Sequence, residues 1–330
     1  MKKKGSPPSI KDVAKLAEVS IATVSRIIND RTGSASVETR RRVQDAIETL
    51  GYRPNRAGRA LRSQTNDTYA LIVSNILNSF YASVVWEIER LLNDRGQALL
   101  IFNSNEDMAL QDRALDEIQS RQVAGVFMLC AVQSEKLTDL GQSIPILLLN
   151  RRLAALPEAP FIGIDDYSAA KELTASMLRK YGQSAAFIHG PRSSDTSDRR
   201  LKGMMEACAE FGKTIPETDI REAHLSMESG YEIAVDLLSR KRFTAIVCGN
   251  DQIAYGVYRR CREIGLAVPN DIAIFGFDDN PMNLWLAPWL NTVRVPHVQL
   301  ATSALEQMDN FQEGRQPRSV ILPYDIVLRS

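Results

Sequence analysis

From residue 69 onward, short apolar runs alternate with longer amphipathic ones, and this alternation constrains the fold more than any other feature. Segments 69–73, 98–102, 125–129 and 146–149 are almost wholly apolar, as strands buried on both faces must be. Between them, 83–94, 110–119 and, more weakly, 134–140 carry helical periodicity. A second series follows, with strands expected at 161–164, 185–189, 245–248 and 272–277, and helices at 169–180, 199–211, 230–238 and 253–263. Strands interleaved with helices imply parallel sheets joined by right-handed crossovers. The expected class is therefore α/β, with two doubly wound subdomains whose ligands sit outside the carboxyl ends of the strands.

The first 52 residues read differently. Ser9 is placed to cap a short helix that buries Ile10, Val13, Ala14 and Ala17, and Glu18-Val19 makes a turn. Ser20 then caps a second helix, 21–29, with Val24, Ile27 and Ile28 inward. A third runs over about 37–50 and stops at Gly51. Two helices across a tight turn, braced by a third, form a helix-turn-helix, whose second helix enters the DNA major groove. A three-helix protein-interaction module is the plainer alternative. Residues 53–68 are polar, with Pro54, Gly58, Ser63 and Asn66, and read as a linker. The chain thus divides into 1–52, 53–68 and 69–330.

Charge separates the same regions. The chain has 40 Lys+Arg and 40 Asp+Glu, but residues 1–66 hold fourteen basic and six acidic side chains, a net +8 that the remainder cancels. A basic front on an acidic body points to nucleic acid. No apolar stretch behind the basic start resembles a signal peptide, and none approaches the roughly 18 residues of a membrane span. A cytoplasmic protein without membrane contact is expected. Cys130, Cys208, Cys248 and Cys261 are dispersed and read as buried thiols. His189, His224 and His297 lie far apart, and no phosphate loop, nucleophile elbow or metal-ligand spacing occurs, so neither an enzyme nor a metal or cofactor is expected. In the pairs Asp165-Asp166 and Asp278-Asp279, neighbouring side chains should diverge rather than work together.

The stretches Ile10-Lys11-Asp12-Val13-Ala14, Val19 to Arg26, Thr39-Arg40 and Leu50 to Ala57 together resemble the lactose/galactose repressor (LacI/GalR) family. The match is strong over the first 62 residues and weaker beyond. It implies an effector-controlled transcriptional regulator, in the first instance a repressor, that binds a pseudo-palindromic double-stranded DNA operator as a homodimer. An activator or dual regulator of the same fold, or a sugar receptor without DNA function, are the alternatives. Under the resemblance, Ile21 and Ala22 occupy base-reading positions and can meet only thymine methyls, leaving Arg26 to grip a guanine. Helix-core packing is the competing reading of Ile21. Ser20, Thr23, Ser25, Asn29 and Thr39 become phosphate anchors, with Tyr52 and Asn55 also facing the DNA backbone. Residues 54–62 correspond to the hinge helix, where Leu61 wedges into the minor groove and Ala57 shares its face. Gly58 departs from the family pattern and costs about 1 kcal/mol of helix propensity relative to Ala. A Gly58→Ala variant is expected to bind operator more tightly and respond less to effector.

Residues 69–330 resemble type I periplasmic sugar-binding proteins, with lobes of about 69–165 plus 296–322 and 166–290 plus 323–330. Three crossovers are expected, at 164–167, 290–296 and 322–326. The resemblance assigns Tyr81, Asn150, Arg200, Asn250 and Asp278 to the effector, with Arg199 as a solvated competitor of Arg200. Capping of a helix or turn is the competing reading of each. Leu225 stands where many relatives carry a stacking aromatic, and Asn75 where Asp is common. An Arg-bearing pocket with fewer acceptors suits a sugar acid better than a neutral sugar. No C-terminal leucine heptad is present, which favours a dimer over a tetramer.

Overall fold

The computed structural model describes residues 8–28, 35–52, 67–182, 184–240 and 243–329. The chain divides into two compact units, 1–65 and 66–330. Asn29, Asn55, Ala57 and Leu61 lie outside the described residues, as does Gly58.

The first unit is held by its helix ends. Helix α1 (Ile10–Leu16) begins where the Asp12 carboxylate accepts both the Ser9 backbone N–H, at 2.8 Å, and the Ser9 hydroxyl, at 2.7 Å. Glu18 takes a positive φ of 53° to turn the chain. Helix α2 (Ile21–Ile28) starts at Ser20, whose hydroxyl accepts the Thr23 N–H at 3.1 Å. Helix α3 (Val37–Leu50) repeats the device, with Ser36 accepting from Thr39 at 3.2 Å. It ends at Gly51 with φ 59°, the left-handed cap that glycine adopts without strain. Val13, Ala14, Ala17, Val24, Ile27, Val43 and Ala46 are buried between the helices.

The second unit is two lobes. The first lobe's sheet contains β1 (Thr68–Val73), β2 (Ala98–Asn103), β3 (Val126–Leu129), β4 (Ile146–Leu149), β5 (Phe161–Gly163) and β11 (Val320–Ile321), in the order β11-β5-β4-β3-β1-β2. Every pairing in it is parallel. Helices α4 (Ser79–Asp94), α5 (Met108–Ser120), α6 (Glu135–Gly141) and α12 (His297–Gln312) accompany it. The second lobe's sheet is β7-β6-β8-β9, from Ile220–Glu222, Ala185–His189, Ala245–Cys248 and Ala273–Phe275, again all parallel. Its helices are α7 (Asp166–Tyr181), α8 (Asp195–Glu210), α9 (Met227–Arg240), α10 (Asp251–Glu263) and the short α11 (Asn283–Leu286). An antiparallel pair, β10 (Thr292–Arg294) with β12 (Asp325–Val327), lies on the crossover strands.

The strand series and the lobes do not coincide. Phe161–Gly163, the first strand of the second series but inside the 69–165 segment assigned to the first lobe, pairs with β4 through Leu148↔Phe161 and Leu149↔Ile162 and so joins the first sheet. The strand expected over 272–277 stops at Phe275, because Gly276 and Asp278 donate instead to Asn291 and Val293 on the returning crossover. Helix α4 starts four residues earlier than its periodicity suggested, since Asn78 caps it by accepting the Phe80 N–H. Strands β7, β10, β11 and β12 and helix α12 were not anticipated.

Glycines bring the second lobe's helices together. A methyl at Gly203 of α8 would overlap the Tyr167 carbonyl of α7; one at Gly256 of α10 would overlap Met227 of α9. These positions let backbones approach where any side chain would separate them.

Candidate functional site

In the first unit, α2 presents Ile21, Ala22 and Arg26 to solvent. Ile21 is 39% exposed, so it is not a core residue of the helix bundle. Arg26 lies one turn beyond Ala22 and donates from Nε to its carbonyl at 3.4 Å. The Ser20 and Thr23 hydroxyls lie 2.8 Å apart, and the Ser36 and Thr39 hydroxyls 2.9 Å apart. Each pair stands at a helix N-terminus, where free N–H groups and the helix dipole favour an anion. Ser25 is half-buried, and Tyr52 packs against the three-helix core. Leu16, 51% exposed at the end of α1, was not singled out from the sequence.

In the second unit, Tyr81, Asn150, Arg200, Asn250 and Asp278 line one narrow cleft, together with Cys130, Arg151, Ser194, Thr196, Ser197 and Leu225. The first lobe contributes Tyr81 from α4, Cys130 after β3, and Asn150-Arg151 after β4; the second contributes the rest from strand ends and helix starts. The lobes touch here. Thr196 donates its hydroxyl to the Asn150 carbonyl at 2.9 Å, and the Asn280 amide donates to the Ser79 hydroxyl.

Arg200 organises the second-lobe wall. It is 4% exposed and donates through Nε to Asp166 at 2.8 Å and through Nη1 to the Gly249 carbonyl at 2.8 Å. Its guanidinium carbon sits 3.5 Å from the centroid of the Phe277 ring. Nη2 lies 3.6 Å from an Asp278 oxygen. Burial opposes the charge, but Asp166 and Asp278 hold the guanidinium more basic than usual. Burial pushes the Asp278 carboxyl well above the ordinary carboxylate range, with Arg200 pulling the other way. Asp278 also has φ 112°, a conformation in which side-chain-bearing residues are strained. Arg199, by contrast, is half-exposed and pairs with Asp165 at 3.0 Å. Each adjacent aspartate pair divides its work as expected. Asp165 accepts the Ser168 hydroxyl at the start of α7 while Asp166 meets Arg200, and Asp279 binds Arg294 and Arg329 while Asp278 faces the cleft.

On the opposite wall, Cys130 donates its thiol to the Tyr81 hydroxyl at 3.3 Å, and the Asn150 amide donates to that sulfur at 3.8 Å. Asn150 takes a φ of 62°. Arg151 is 6% exposed and donates to Glu106 at 2.9 Å. Asn250 caps α10, accepting the Ile253 N–H at 3.0 Å, so capping and cleft lining are both true of it. Cys130, Arg151, Ser194, Thr196 and Asp166 were missed from sequence. The only signal was that most of them sit at a strand's carboxyl end or a helix's first turn.

Residues 9–55 match the family model described as bacterial regulatory proteins, lacI family. Residues 66–327 match that of periplasmic binding proteins and the sugar binding domain of the LacI family. The chain belongs to the LacI family. It is 33% identical over 300 residues to the HTH-type transcriptional regulator GalR of Escherichia coli, covering 90% of this chain and 87% of the relative. It is 31% identical over 328 residues to catabolite control protein A of Priestia megaterium, covering 97% and 98%. Among solved structures it is similar to the lac repressor dimer bound to operator and the anti-inducer ONPF, with a TM-score of 0.83, 24% identity and 98% of both chains covered. The complex of the transcriptional regulator CelR with cellobiose aligns with a TM-score of 0.71, 26% identity and coverage of 97% and 98%. As a LacI-family member the protein is a DNA-binding transcriptional regulator controlled by an effector, not an enzyme. Among the described residues no helix is long and apolar enough to cross a membrane.

Proposed function

We propose that this LacI-family regulator is a repressor that binds a pseudo-palindromic operator as a homodimer, with a small polyhydroxylated effector closing the cleft. The observation that carries the reading is the convergence of Tyr81, Asn150, Arg200, Asn250 and Asp278 on one cleft whose two walls belong to different lobes. An occupant there bears on contacts such as Thr196 to Asn150, and shifts the lobes only by its unequal affinity for their arrangements. Arg26 reads a base edge, and the Ser20, Thr23 and Thr39 hydroxyls anchor phosphates. Leu77 and Trp86, 85% and 60% exposed, and Leu284, Trp285 and Leu286, each at least 69% exposed, support a second copy of the chain as the occupant of these apolar surfaces.

Operator selection followed by footprinting, with and without candidate effectors, tests the proposal. Two adjacent protected half-sites are expected, with affinity falling as salt rises because Lys and Arg displace phosphate counterions. Protection of a single half-site by a monomer, or salt-independent binding, overturns it.

A further inference from the structure

Unsatisfied buried polar atoms are uncommon in folded proteins, and each calls for a cause. Among the described residues, nine such side-chain atoms occur: Gln97 Oε1, Asp112 Oδ1, Asn150 Oδ1, Arg151 Nε, Thr174 Oγ1, Ser194 Oγ, Arg200 Nη2, Arg260 Nε and Trp289 Nε1. Four of the nine, on Asn150, Arg151, Ser194 and Arg200, belong to the eleven residues that line the inter-lobe cleft. All four residues are more than nine-tenths buried. The cause is therefore local to the cleft rather than scattered through the core.

The chemistry of the four atoms is lopsided. Arg151 Nε and Arg200 Nη2 can only donate, Ser194 Oγ can do either, and Asn150 Oδ1 can only accept. A neutral polyol's hydroxyls can accept from these N–H groups but carry no charge, so the two cationic donors are left with weaker partners. A carboxylate is acceptor-only and matches guanidinium donors in strength and geometry. Among the described residues, Arg151 ion-pairs with Glu106, a side chain 38% exposed that water can solvate. Arg200 Nη2 stands off from Asp278 at 3.6 Å while its other nitrogens are committed to Asp166 and Gly249. The cleft is nearly closed, with about 10 Å³ of free cavity, so the lobes must part to admit a ligand.

We infer that the effector is a sugar acid whose carboxylate is held by Arg151 and Arg200, one guanidinium from each lobe, while its hydroxyls meet Asn150, Ser194 and Asp278. The inference rests on the cleft being the effector site and adds Arg151 as a ligand-binding residue that sets the charge of the effector. The groups facing Asp278 include Arg200, Asp166, Asp251, Tyr81 and Tyr255. Burial favours its neutral form, in which the carboxyl can donate to the ligand.

The test is isothermal titration calorimetry of the full chain at pH 7 with galacturonate, gluconate, glucose 6-phosphate, galactose and glucose. At least one of the two carboxylates is expected to bind ten times more tightly than its neutral counterpart. Arg151→Gln is expected to remove at least tenfold of that affinity and Arg151→Lys to restore part of it, with the thermal midpoint of each unliganded variant measured to separate binding from folding. Tighter binding of a neutral sugar, insensitive to Arg151→Gln, overturns the sugar-acid inference and leaves the cleft as the effector site. Preference for the phosphate overturns the carboxylate assignment. Acid binding untouched by both Arg151→Gln and Arg200→Gln overturns the inference and the cleft reading together. Failure of both carboxylates to bind overturns the inference.

Discussion

Arg26 and Arg200 are the same residue in opposite settings, and the contrast explains both units. Arg26 stands exposed on α2, where among the described residues its hydrogen bond is to its own helix's carbonyl at 3.4 Å. Its fork can reach a base edge. Arg200 is enclosed by Asp166, Asp278, Gly249 and Phe277, so the fold depends on its charge even when nothing is bound. The DNA-reading surface is thus an exterior whose residues can vary with the operator. The cleft is an interior whose residues serve stability and recognition at once.

The contrast is broken most severely by Arg200→Met. Removing one member of a buried pair strands the other, at a cost of about 3–5 kcal/mol. Urea unfolding of the second unit should show that loss, together with loss of effector response; an unshifted transition would mean that Asp166 is solvated. Asp251 gives the next effect. It accepts from Asn280, Asn283 and Thr292, yet burial lifts its carboxyl from the ordinary 3.8 to about 6. The folded chain therefore binds this proton more tightly than the unfolded chain. Its stabilising contribution is complete below pH 3.8 and is lost as pH rises through 6, a difference of up to about 3 kcal/mol. Asp251→Asn should flatten the stability profile between pH 4 and 6; an unchanged profile rejects the assignment. Arg26→Ala should weaken operator binding by about 1–3 kcal/mol and relax base preference at one position. Its melting temperature should not move, and a fall there would show that Arg26 has a structural duty after all. The smallest effect is Ser36→Ala, which removes the α3 cap and should cost the first unit about 1 kcal/mol by circular dichroism.

Legibility in the sequence followed the size of the physical signal. Strands buried on both faces, such as Ala185–His189 and Ala245–Cys248, announce themselves as apolar runs. Strands β10, β11 and β12 have two or three residues each, too few for any periodicity to register. Helix α12 carries a readable stripe in Leu300, Ala301, Ala304, Leu305 and Met308, all buried, but its flanks read as crossover rather than helix. Individual cleft residues were reached through the family resemblance rather than through pattern. Arg151 shows why pattern alone falls short. It adjoins Arg152, and two consecutive arginines read as a solvated pair. In the fold they separate: Arg151 turns into the cleft, and Arg152 lays its guanidinium 4.0 Å from the centroid of the Phe161 ring. Nothing in a two-residue string distinguishes these fates.

The glycines between the second lobe's helices have a mechanical meaning. With Gly203 against Tyr167 and Gly256 against Met227, backbone bears directly on backbone and there are no compressible side chains to take up a displacement. Such packing should make that lobe a stiff lever, so that a movement begun at the cleft passes to the three straps that join the lobes rather than being taken up at these helix contacts. A bulkier residue at Gly203 or Gly256 would loosen the lever before it touched the ligand, and the signal would fade between intact ends.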